Sequence, residues 1–499
     1  MKKKHQHYYL LALVFLFALA VRLYLAFQTP NFSVEEAYFN YRQVESIQHT
    51  GLPSYMDTLS YSGRTHIFHP VYHYLLAAFS FILGTALTLK IIPNILATML
   101  VLVIYFIVLE LTKNRNISLF CAFTSAFIPI FFTRTINSAS LFSFTLPLIF
   151  YLVYCFMRIK ERKFMYHFLF FSFVLSLTSA IAFFFVFGLI IYLFLVKLEY
   201  AVQNRIEVEV ILFVTFLTLW INVLLYKKAF LFHSYALIWQ NIPVQILSSY
   251  FKQVDVVASV TAIGFLPLLL GIFAVYKYMF KERDKRTYLL MAFALAVALL
   301  LWFKLITLDV GLMFLGAILI PLMGQAINLF FKYLEMTKIS HTKSYFWILL
   351  FLLVVLTSML PSVGRASLEI QDAVSPDEIG ALAWLREVTP QDSIVLSTIG
   401  EGDIISAIAE RKNVADDDFL LIRSSSDVFD EVDRMYTAMF KTHAVELMNK
   451  YGVDYVYFSR RAKAEFRITG LKYAEKDCFK LVYDKGVQIY RLTCEIRSV

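Results

Sequence analysis

Apolar runs long enough to cross a lipid bilayer recur along most of this 499-residue chain, and they constrain its fold more than any other feature. Hydrophobic residues make up 59% of the sequence and charged residues only 17%, a balance typical of membrane proteins. The segments predicted to span the membrane are 8–27, 89–111, 116–132, 138–157, 164–180, 181–197, 208–226, 255–279, 287–302, 306–330 and 344–363. The sequence therefore predicts a polytopic α-helical membrane protein with about 11 spans.

Lysine and arginine collect in alternate loops, and this pattern predicts the orientation of the chain. The basic stretches are MKKKHQH at 1–7, KNRN at 113–116, RIKERK at 158–163, KLEYAVQNR at 197–205, KERDKR at 281–286 and FKYLEMTKISHTK at 331–343. All of them can lie in the cytoplasm only if segment 70–84 does not cross the membrane. We therefore expect a multi-pass cell-membrane protein with a cytoplasmic N-terminus and an extracytoplasmic C-terminus. These loops also account for the net charge of +9, so no nucleic-acid partner is expected.

From about residue 364 the composition changes to that of a soluble domain. SPDEIGALAWLREV (375–388) has an N-cap serine and a proline at the first helical position, which predicts a helix. The runs DSIVLS, VDYVYFS, FKLVYD and VQIYRL predict strands. We expect a transmembrane domain over 1–363, whose first external loop covers 28–88 with a non-spanning helix at 70–84. An extracytoplasmic α/β domain is expected over 364–499.

Cys478 and Cys494 flank the predicted hairpin of that domain and are equidistant from Gly486. In an antiparallel hairpin the two residues would face each other, and the outer surface permits oxidation. A disulfide is one prediction, and two separately buried thiols are the alternative.

Glu35 and Glu36 stand shortly after the first apolar segment, where the chain leaves the lipid. A carboxylate pair at this boundary costs desolvation energy unless it serves a cation or a proton transfer. The alternative is that the two residues open an external amphipathic helix, whose N-terminus favours negative charge. Spacing alone leaves both interpretations open.

His66, His69 and His73 raise the question of a metal site, since their spacing would put them on one helical face. Pro70 interrupts that helix, and no nearby acidic motif completes a ligand set. A zinc site is therefore not the favoured interpretation.

EAYFNYRQVESI (36–47), GLPSYMDTLSYSGR (51–64) and HPVYHYLLAAFSFILG (69–84) resemble the first external loop of the GT-C superfamily of membrane glycosyltransferases. The resemblance is to the catalytic subunit of oligosaccharyltransferase and its archaeal relatives. It extends to residues 90–135, and to 405–421 and 448–459 of the C-terminal domain. In that family an aspartate six residues before an arginine helps to bind a divalent cation and orients the acceptor. Glu36 stands six residues before Arg42.

Two parts of the family pattern differ in this chain. The second acidic motif, D-x-E, falls on Leu141 and Ser143. The motif W-W-D-Y-G, which reads the sequon of the acceptor peptide, aligns with TIGEG at 398–402, where only Gly402 matches. The resemblance therefore implies a GT-C scaffold and does not imply sequon-specific protein glycosylation.

The function implied by the resemblance is transfer of a glycan or sugar from a polyprenyl-(pyro)phosphate-linked donor to a protein or glycan acceptor at the outer membrane face. Glu36 is the expected catalytic carboxylate and a ligand of a divalent cation (Mg²⁺ or Mn²⁺), with Glu35 as a second catalytic candidate. The cations expected to bind the donor phosphate are Arg42, Arg64, Arg134 and Lys304. One alternative is a catalytically inactive scaffold that binds glycoconjugates or a partner subunit. A lipid or solute transporter is less favoured, because charges within the middle spans are almost absent.

Overall fold

Helices dominate the structure, a computed structural model that describes residues 2–199, 204–234, 243, 255–280, 284–338, 340–474 and 477–495. Four of the basic stretches that predict the orientation, 1–7, 197–205, 281–286 and 331–343, lie partly outside these residues. Each segment predicted to span the membrane falls on one helix or on consecutive helices.

In chain order the helices are α1 (Lys2–Ala26), α2 (Glu35–Thr50), α3 (Val71–Leu83), α4 (Thr85–Thr112), α5 (Arg115–Ala126), α6 (Pro129–Ile136), α7 (Phe142–Met157), α8 (Arg162–Thr178), α9 (Ala182–Leu198), α10 (Arg205–Leu225), α11 (Lys227–His233), α12 (Val256–Ile263), α13 (Phe265–Phe280), α14 (Lys285–Trp302), α15 (Leu308–Glu335), α16 (Lys343–Val354), α17 (Leu360–Gln371), α18 (Pro376–Val388), α19 (Gly402–Ile404), α20 (Ser425–Thr437), α21 (Lys441–Lys450) and α22 (Arg460–Phe466).

The length and composition of these helices indicate a multi-pass membrane protein. Among the described residues, six helices are long and apolar enough to cross a membrane. The number rises to eight if each of two bent pairs, α5 with α6 and α12 with α13, forms one span. Helices α3, α7 and α9 are apolar but shorter. The count of eleven crossings therefore stays a prediction.

Helix α3 coincides with the segment predicted not to span the membrane. It has 13 residues, which gives a length of roughly 20 Å. The apolar core of a bilayer is about 30 Å thick. The helix is thus too short to cross by itself, as the predicted orientation requires.

The C-terminal part contains a five-stranded mixed sheet, in which four strands fall on the runs predicted from the sequence. Its strands are β3 (Ile394–Leu396), β4 (Lys412–Asn413), β5 (Tyr455–Phe458), β6 (Phe479–Lys485) and β7 (Val487–Leu492), in the spatial order β4-β3-β5-β7-β6. Strand β3 is parallel to β4 and β5, and β7 is antiparallel to β5 and β6. Two short strands, β1 (Met56–Asp57) and β2 (Arg64–Thr65), pair within the first external loop.

One apolar core joins the sheet to the first external loop. Helix α18 begins with the predicted capping box at Ser375 and packs Leu382 and Leu385 against the sheet. The same cluster of buried side chains includes Tyr38 and Val44 of α2. Helices α20 and α21 cover the opposite face of the sheet. The C-terminal part is thus fixed to α2 by shared apolar burial, and α17 runs across the expected boundary at 363–364. The domain limits stay predictions.

The hairpin β6–β7 carries the disulfide that the sequence allowed. Cys478 is bonded to Cys494, and Phe479 next to it pairs with Leu492 in the antiparallel ladder. Gly486 at the turn has a φ of 71°, a conformation that favours glycine. The disulfide prediction is confirmed, and the alternative of two separate thiols is wrong.

Basic residues from distant loops meet at one end of the helical bundle. One cleft of about 660 Å³ is lined by Arg158, Lys160, Arg205, Lys285 and Arg286, and another of about 660 Å³ by Lys113, Arg115, Lys332 and Lys343. An ion pair of 3.0 Å between Lys113 and Glu110 connects the two clefts. The loops therefore share one face of the protein, which the positive-inside rule requires of them.

Candidate functional site

Glu36 lies in the first turn of α2 and lines a cavity between the first external loop and the C-terminal domain. The helix begins at Glu35, and Val34 before it makes no side-chain cap, so the glutamates supply the negative charge that a helix N-terminus favours. The Leu141 N–H donates a hydrogen bond to Glu36 Oε1 at 3.0 Å. Burial raises the pKa of Glu36, although the hydrogen bonds from Leu141 and Ser140 act against this shift. Glu36 thus both opens the helix and faces the cavity.

Glu35 has a different environment and does not line the cavity. Burial raises the pKa of Glu35, while the charges of Arg461 and Arg134 act in the opposite direction. Of the two adjacent glutamates, only Glu36 is in a position to meet a ligand in the cavity.

The cavity has a volume of about 300 Å³ and is enclosed by parts of the chain that are far apart in sequence. Its lining comes from α2, from residues 67–73, from the end of α8, from Tyr226 and from the C-terminal domain. The lining side chains that can bind or titrate are Glu36, Asn40, His69, Tyr72, His73, Tyr226, Asp403, Asp417 and Asp418.

Asp403 reaches this cavity because two segments of the C-terminal domain approach each other closely. A Cβ atom added to Gly402 would lie 2.3 Å from the Ala415 carbonyl oxygen, so only glycine fits there without a shift. The Asp403 side chain is buried, with 2% of the residue exposed, and its Oδ1 has no hydrogen-bond partner among the described residues. Burial and the negative charges of residues 416–418 raise the pKa of Asp403 well above its usual range.

Asp416 anchors the first external loop to the C-terminal domain. Arg64 Nη2 donates to Asp416 Oδ1 at 2.8 Å, and the Ser60 hydroxyl donates to Oδ2. The Tyr61 hydroxyl donates to the Asp416 carbonyl oxygen at 2.5 Å. Only 6% of the Arg64 side chain is exposed, and the rest of its guanidinium is engaged as well, since Nε donates to the Ser60 hydroxyl and Nη1 to the Asp418 carbonyl oxygen. Arg64, expected to bind the donor phosphate, lies in a buried ion pair.

The next two aspartates differ in their pairing. Asp418 Oδ2 lies 3.2 Å from His66 Nδ1. Asp417 makes no ion pair with any cation of the described residues. Burial, followed by the charges of Glu35, the neighbouring aspartates and Glu36, raises the pKa of Asp417 well above its usual range. The cavity wall therefore carries two carboxyl groups, Asp403 and Asp417, that make no ion pair within the described chain and whose raised pKa values favour the protonated form.

Arg42 forms a bidentate ion pair with Asp57 and does not line the cavity. Its Nη1 and Nη2 donate to Asp57 Oδ2 and Oδ1 at 2.7 and 2.8 Å. His66 Nε2 lies 3.4 Å from Asp57 Oδ2. Burial raises the pKa of Asp57, but hydrogen bonds from His66 and Arg42 outweigh this effect and hold the pKa below its usual range. This cluster fixes β1 to α2.

Arg134 and Lys304 lie at the same end of the bundle as Glu36, in more exposed surroundings. Arg134 Nη2 lies 2.5 Å from Asp309 Oδ2, and Nη1 lies 3.5 Å from Glu369 Oε1. The Arg134 side chain is 44% exposed. Lys304 is exposed in the loop that precedes α15, the helix that carries Asp309. Residues 134–141 connect Arg134 to the amide that holds Glu36.

The three histidines have separate partners. His66 lies beside Asp57 and Asp418, whereas His69 Nε2 is 3.1 Å from Asn222 Oδ1 and His73 Nε2 is 2.8 Å from Asn40 Oδ1. Burial lowers the pKa of His69 and of His73 to about 4, so both are neutral at physiological pH.

The side chains present do not fit the divalent cation that the GT-C resemblance implies. In the described ranges no group of three or more histidine, cysteine, aspartate or glutamate side chains could hold a metal ion. At the position of the second acidic motif, the Leu141 amide donates to Glu36, and the buried Ser143 hydroxyl has no hydrogen-bond partner in the part of the chain that the structure describes. A metal at Glu36 would therefore have fewer than three protein ligands from the described residues, where several are needed.

Sequence reasoning missed the carboxyl groups that complete the cavity, Asp403, Asp417 and Asp418. The signal available was the run of three aspartates at 416–418 inside a stretch that resembled the family. Such a run is usually an exposed surface, and only the docking of the external loop onto residues 413–418 brings it to Glu36.

Comparison by sequence finds no relatives of this chain. No family model matches it, and no curated protein matches it.

Comparison by structure finds several matches of low sequence identity. The oligosaccharyltransferase of Archaeoglobus fulgidus in its apo form has a TM-score of 0.71 at 14% identity and covers 95% of this chain and 73% of its own length. The same archaeal enzyme, AglB, in complex with an inhibitory peptide and a dolichol-phosphate has a TM-score of 0.68 at 15% identity, covering 91% and 69%. ArnT from Cupriavidus metallidurans bound to undecaprenyl phosphate has a TM-score of 0.56 at 11% identity, covering 96% and 97%. The chain thus has the fold of GT-C glycosyltransferases, and the expected resemblance is confirmed.

Proposed function

We propose that this chain transfers a glycan or a single sugar from a polyprenyl-(pyro)phosphate-linked donor to an acceptor at the outer membrane face. The observation that carries the proposal is the position of Glu36, a carboxyl with a raised pKa in a cavity between the membrane helices and the C-terminal domain. The fold supports it as well, because structurally similar transferases have been determined with dolichol-phosphate and with undecaprenyl phosphate.

Glu36 would act as the general base for the acceptor. Its carboxylate takes the proton of the acceptor hydroxyl or amide while that group forms a bond to the anomeric carbon of the sugar. The bond between this carbon and the phosphate oxygen breaks, and the electron pair stays on the phosphate. The Leu141 N–H and the Ser140 side chain hold the carboxyl in place at the cavity wall, where the acceptor would meet it.

Arg134 is the best candidate to stabilise the leaving phosphate. Its ion pairs with Asp309 and Glu369 are exposed, and exposed ion pairs are weak enough to be exchanged for a phosphate. Lys304 lies in the adjoining loop and is proposed to assist. Arg42 and Arg64 are engaged with Asp57 and Asp416, so we propose that they support the site from outside the cavity.

The test is sugar transfer by the purified full-length protein, measured with a radiolabelled polyprenyl-linked donor. Glu36→Gln keeps the shape of the side chain and removes its charge, so we expect transfer to fall by about 10²–10⁴-fold while donor binding persists. Glu35→Gln is the matched control and is expected to have a smaller effect. Equal and small losses from both substitutions would mean that the pair serves only the helix N-terminus.

A chelator added to the same assay tests the metal expectation. Because no ligand set of three converges on Glu36 in the described residues, we expect transfer to persist in EDTA. Loss of transfer that Mg²⁺ or Mn²⁺ restores would assign a cation to Glu36 after all.

The second candidate is a catalytically inactive scaffold that binds glycoconjugates. The observation that favours it is the replacement of the second acidic motif by Leu141 and Ser143. Binding of the polyprenyl-linked donor by wild-type protein without any transfer to protein or glycan acceptors would support this candidate over the transferase.

A further inference from the structure

The cavity beside Glu36 contains carboxyl groups that lack an ion-pair partner in the described chain. Three nearby aspartates are paired, since Asp57 binds Arg42, Asp416 binds Arg64 and Asp418 binds His66. Glu36, Asp403 and Asp417 make no ion pair within the described residues; Glu36 and Asp417 are partly exposed, whereas Asp403 is buried. An ionised carboxylate that is buried without a counter-charge is costly, so Asp403 above all must bind either a proton or a cationic partner.

Asp403 gives the cavity a specific binding feature. The side chain is almost completely buried, it lines the cavity, and Oδ1 accepts no hydrogen bond from the described chain. Buried polar atoms without a partner are rare in folded proteins, and they often mark the place of a ligand. The close packing of Gly402 against Ala415 fixes the position of Asp403.

Aromatic rings form the other part of the lining. Phe39, Phe68, Tyr72 and Tyr226 all contribute to the cavity wall. The rings of Phe39 and Phe68 lie edge to face with centroids 5.4 Å apart. Ring faces attract organic cations, and carboxylates pair with them, so the two kinds of lining favour the same chemical group. The carboxylates would repel a phosphate.

We propose that the cavity beside Glu36 binds a cationic nitrogen, an ammonium or guanidinium group, through Asp403 and Asp417. Such a group fits better than a metal ion because it needs no fixed set of three ligands, and no such set is present in the described residues. The cavity of about 300 Å³ suits one side chain or one sugar residue. The binding of a cationic nitrogen does not depend on the proposed transferase function. Only the identity of the molecule that carries the nitrogen does, since that molecule is either the acceptor or the transferred sugar.

Binding is tested on purified full-length protein by equilibrium dialysis, without any transfer reaction. The probes are D-glucosamine with its neutral counterpart N-acetylglucosamine, and the peptide Ala-Lys-Ala with its Nε-acetyl-lysine counterpart. We expect one cationic probe to bind at least about tenfold more tightly than its neutral counterpart, because a charge-assisted hydrogen bond is lost on acetylation. Preference for glucosamine assigns the nitrogen to the transferred sugar, and preference for the lysine peptide assigns it to the acceptor.

Two variants and a control locate the binding. Asp403→Asn and Asp417→Asn are each expected to lower the affinity for the cationic probe at least about tenfold. Glu446→Gln, which changes an exposed acid on α21, is expected to leave that affinity unchanged. Asparagine keeps the shape of the side chain, and thermal unfolding of each variant verifies folding. Equal binding of charged and neutral probes, no binding of any probe, or binding that survives in both aspartate variants would overturn the proposal.

The pH profile is a readout that a purely structural role of these aspartates would not change. The charged and titratable groups around them are Glu35, Glu36, Arg42, Asp416 and Asp418, with His69, Tyr72, His73 and Tyr226 in the lining. Affinity should rise with pH while the probe stays protonated, since the cation replaces protons on carboxyl groups of raised pKa. A pH-independent affinity would contradict the inference. A protein that binds probes in this way but transfers no sugar would disprove only the transferase function.

Discussion

Arg64 and Arg134 differ in burial, although the resemblance implied the same role, binding of the donor phosphate, for both. Arg64 has 6% of its side chain exposed and pairs with the fully buried Asp416, whereas Arg134 is 44% exposed and pairs with partly exposed acids. A buried ion pair cannot lose one partner without leaving the other charge in a medium of low dielectric constant. An exposed pair is screened by water and contributes little. We therefore expect Arg64 to contribute to stability, and Arg134 stays the proposed ligand of the donor phosphate.

This difference gives a prediction that two measurements check together. Arg64→Ala should lower the free energy of unfolding by about 3–5 kcal/mol, because Asp416 stays buried without its partner. Arg134→Ala should change it by about 0–1 kcal/mol and reduce transfer from the polyprenyl-linked donor. Thermal unfolding in detergent and the transfer assay give the two values. Similar thermal losses in both variants, or normal transfer by Arg134→Ala, would contradict the assignment.

Glu36 could be found from the sequence, and its partners in the cavity could not. Its signal was local, a spacing of six residues to Arg42 directly after the first apolar segment. Asp403 and Asp417 lie more than 360 residues further along the chain, and they meet Glu36 only because Asn413 and Asp416 bind residues 60–64. Contacts at that distance depend on tertiary packing, which no local pattern in a single sequence encodes.

Among the secondary-structure elements, α2 confirms one of the two interpretations that the sequence left open and leaves the other a prediction. The helix starts at Glu35, so the two acids do stand at an N-terminus, and Glu36 in the same turn reaches the cavity. The strands β3, β5, β6 and β7 were predictable from their short runs of apolar, β-branched and aromatic residues. Strand β4, Lys412–Asn413, was not, because two polar residues give no such pattern.

The turn at α19 offers a prediction with a control only two residues away. A Cβ on Gly402 would lie 2.3 Å from the Ala415 carbonyl oxygen, whereas a Cβ on Gly400 would meet nothing within 4 Å. We expect Gly402→Ala to destabilise the C-terminal domain by about 1–3 kcal/mol through overpacking, and to displace Asp403 from the cavity. Gly400→Ala should have little effect. Thermal unfolding combined with binding of the cationic probe tests this, and equal behaviour of the two variants would rule it out.

For the whole molecule, contact between the external loop and the C-terminal domain should depend on pH through His66. Burial lowers the pKa of His66, but the hydrogen bonds to Asp418 and Asp57 outweigh this effect and raise the pKa above the usual value of 6.5. A pKa raised by folding gives stability that is complete below the unfolded value and lost as the pH rises through the folded value. The stability difference between wild type and His66→Gln should therefore be largest at acidic pH and shrink towards alkaline pH. Since Asp403 and Asp417 titrate in both proteins, their contributions largely cancel. Unfolding by denaturant across a pH series measures the difference, and a constant difference would contradict the pairing.

The orientation of the molecule in the membrane is the last prediction, and it follows from how its two ends differ. At one end lie Glu36, Arg134 and the sheet domain, while at the other the basic loops line two adjacent clefts. The positive-inside rule assigns the basic end to the cytoplasm. A reporter fused after residue 363 should then be extracytoplasmic, and one inserted within 158–163 cytoplasmic. If α3 crosses the membrane, both reporters exchange sides, and Glu36 faces a compartment other than the one that holds the C-terminal domain. The shared cavity makes that arrangement impossible, so exchanged sides would also refute the candidate site. A same-side result would instead contradict the odd number of crossings predicted between residues 163 and 364.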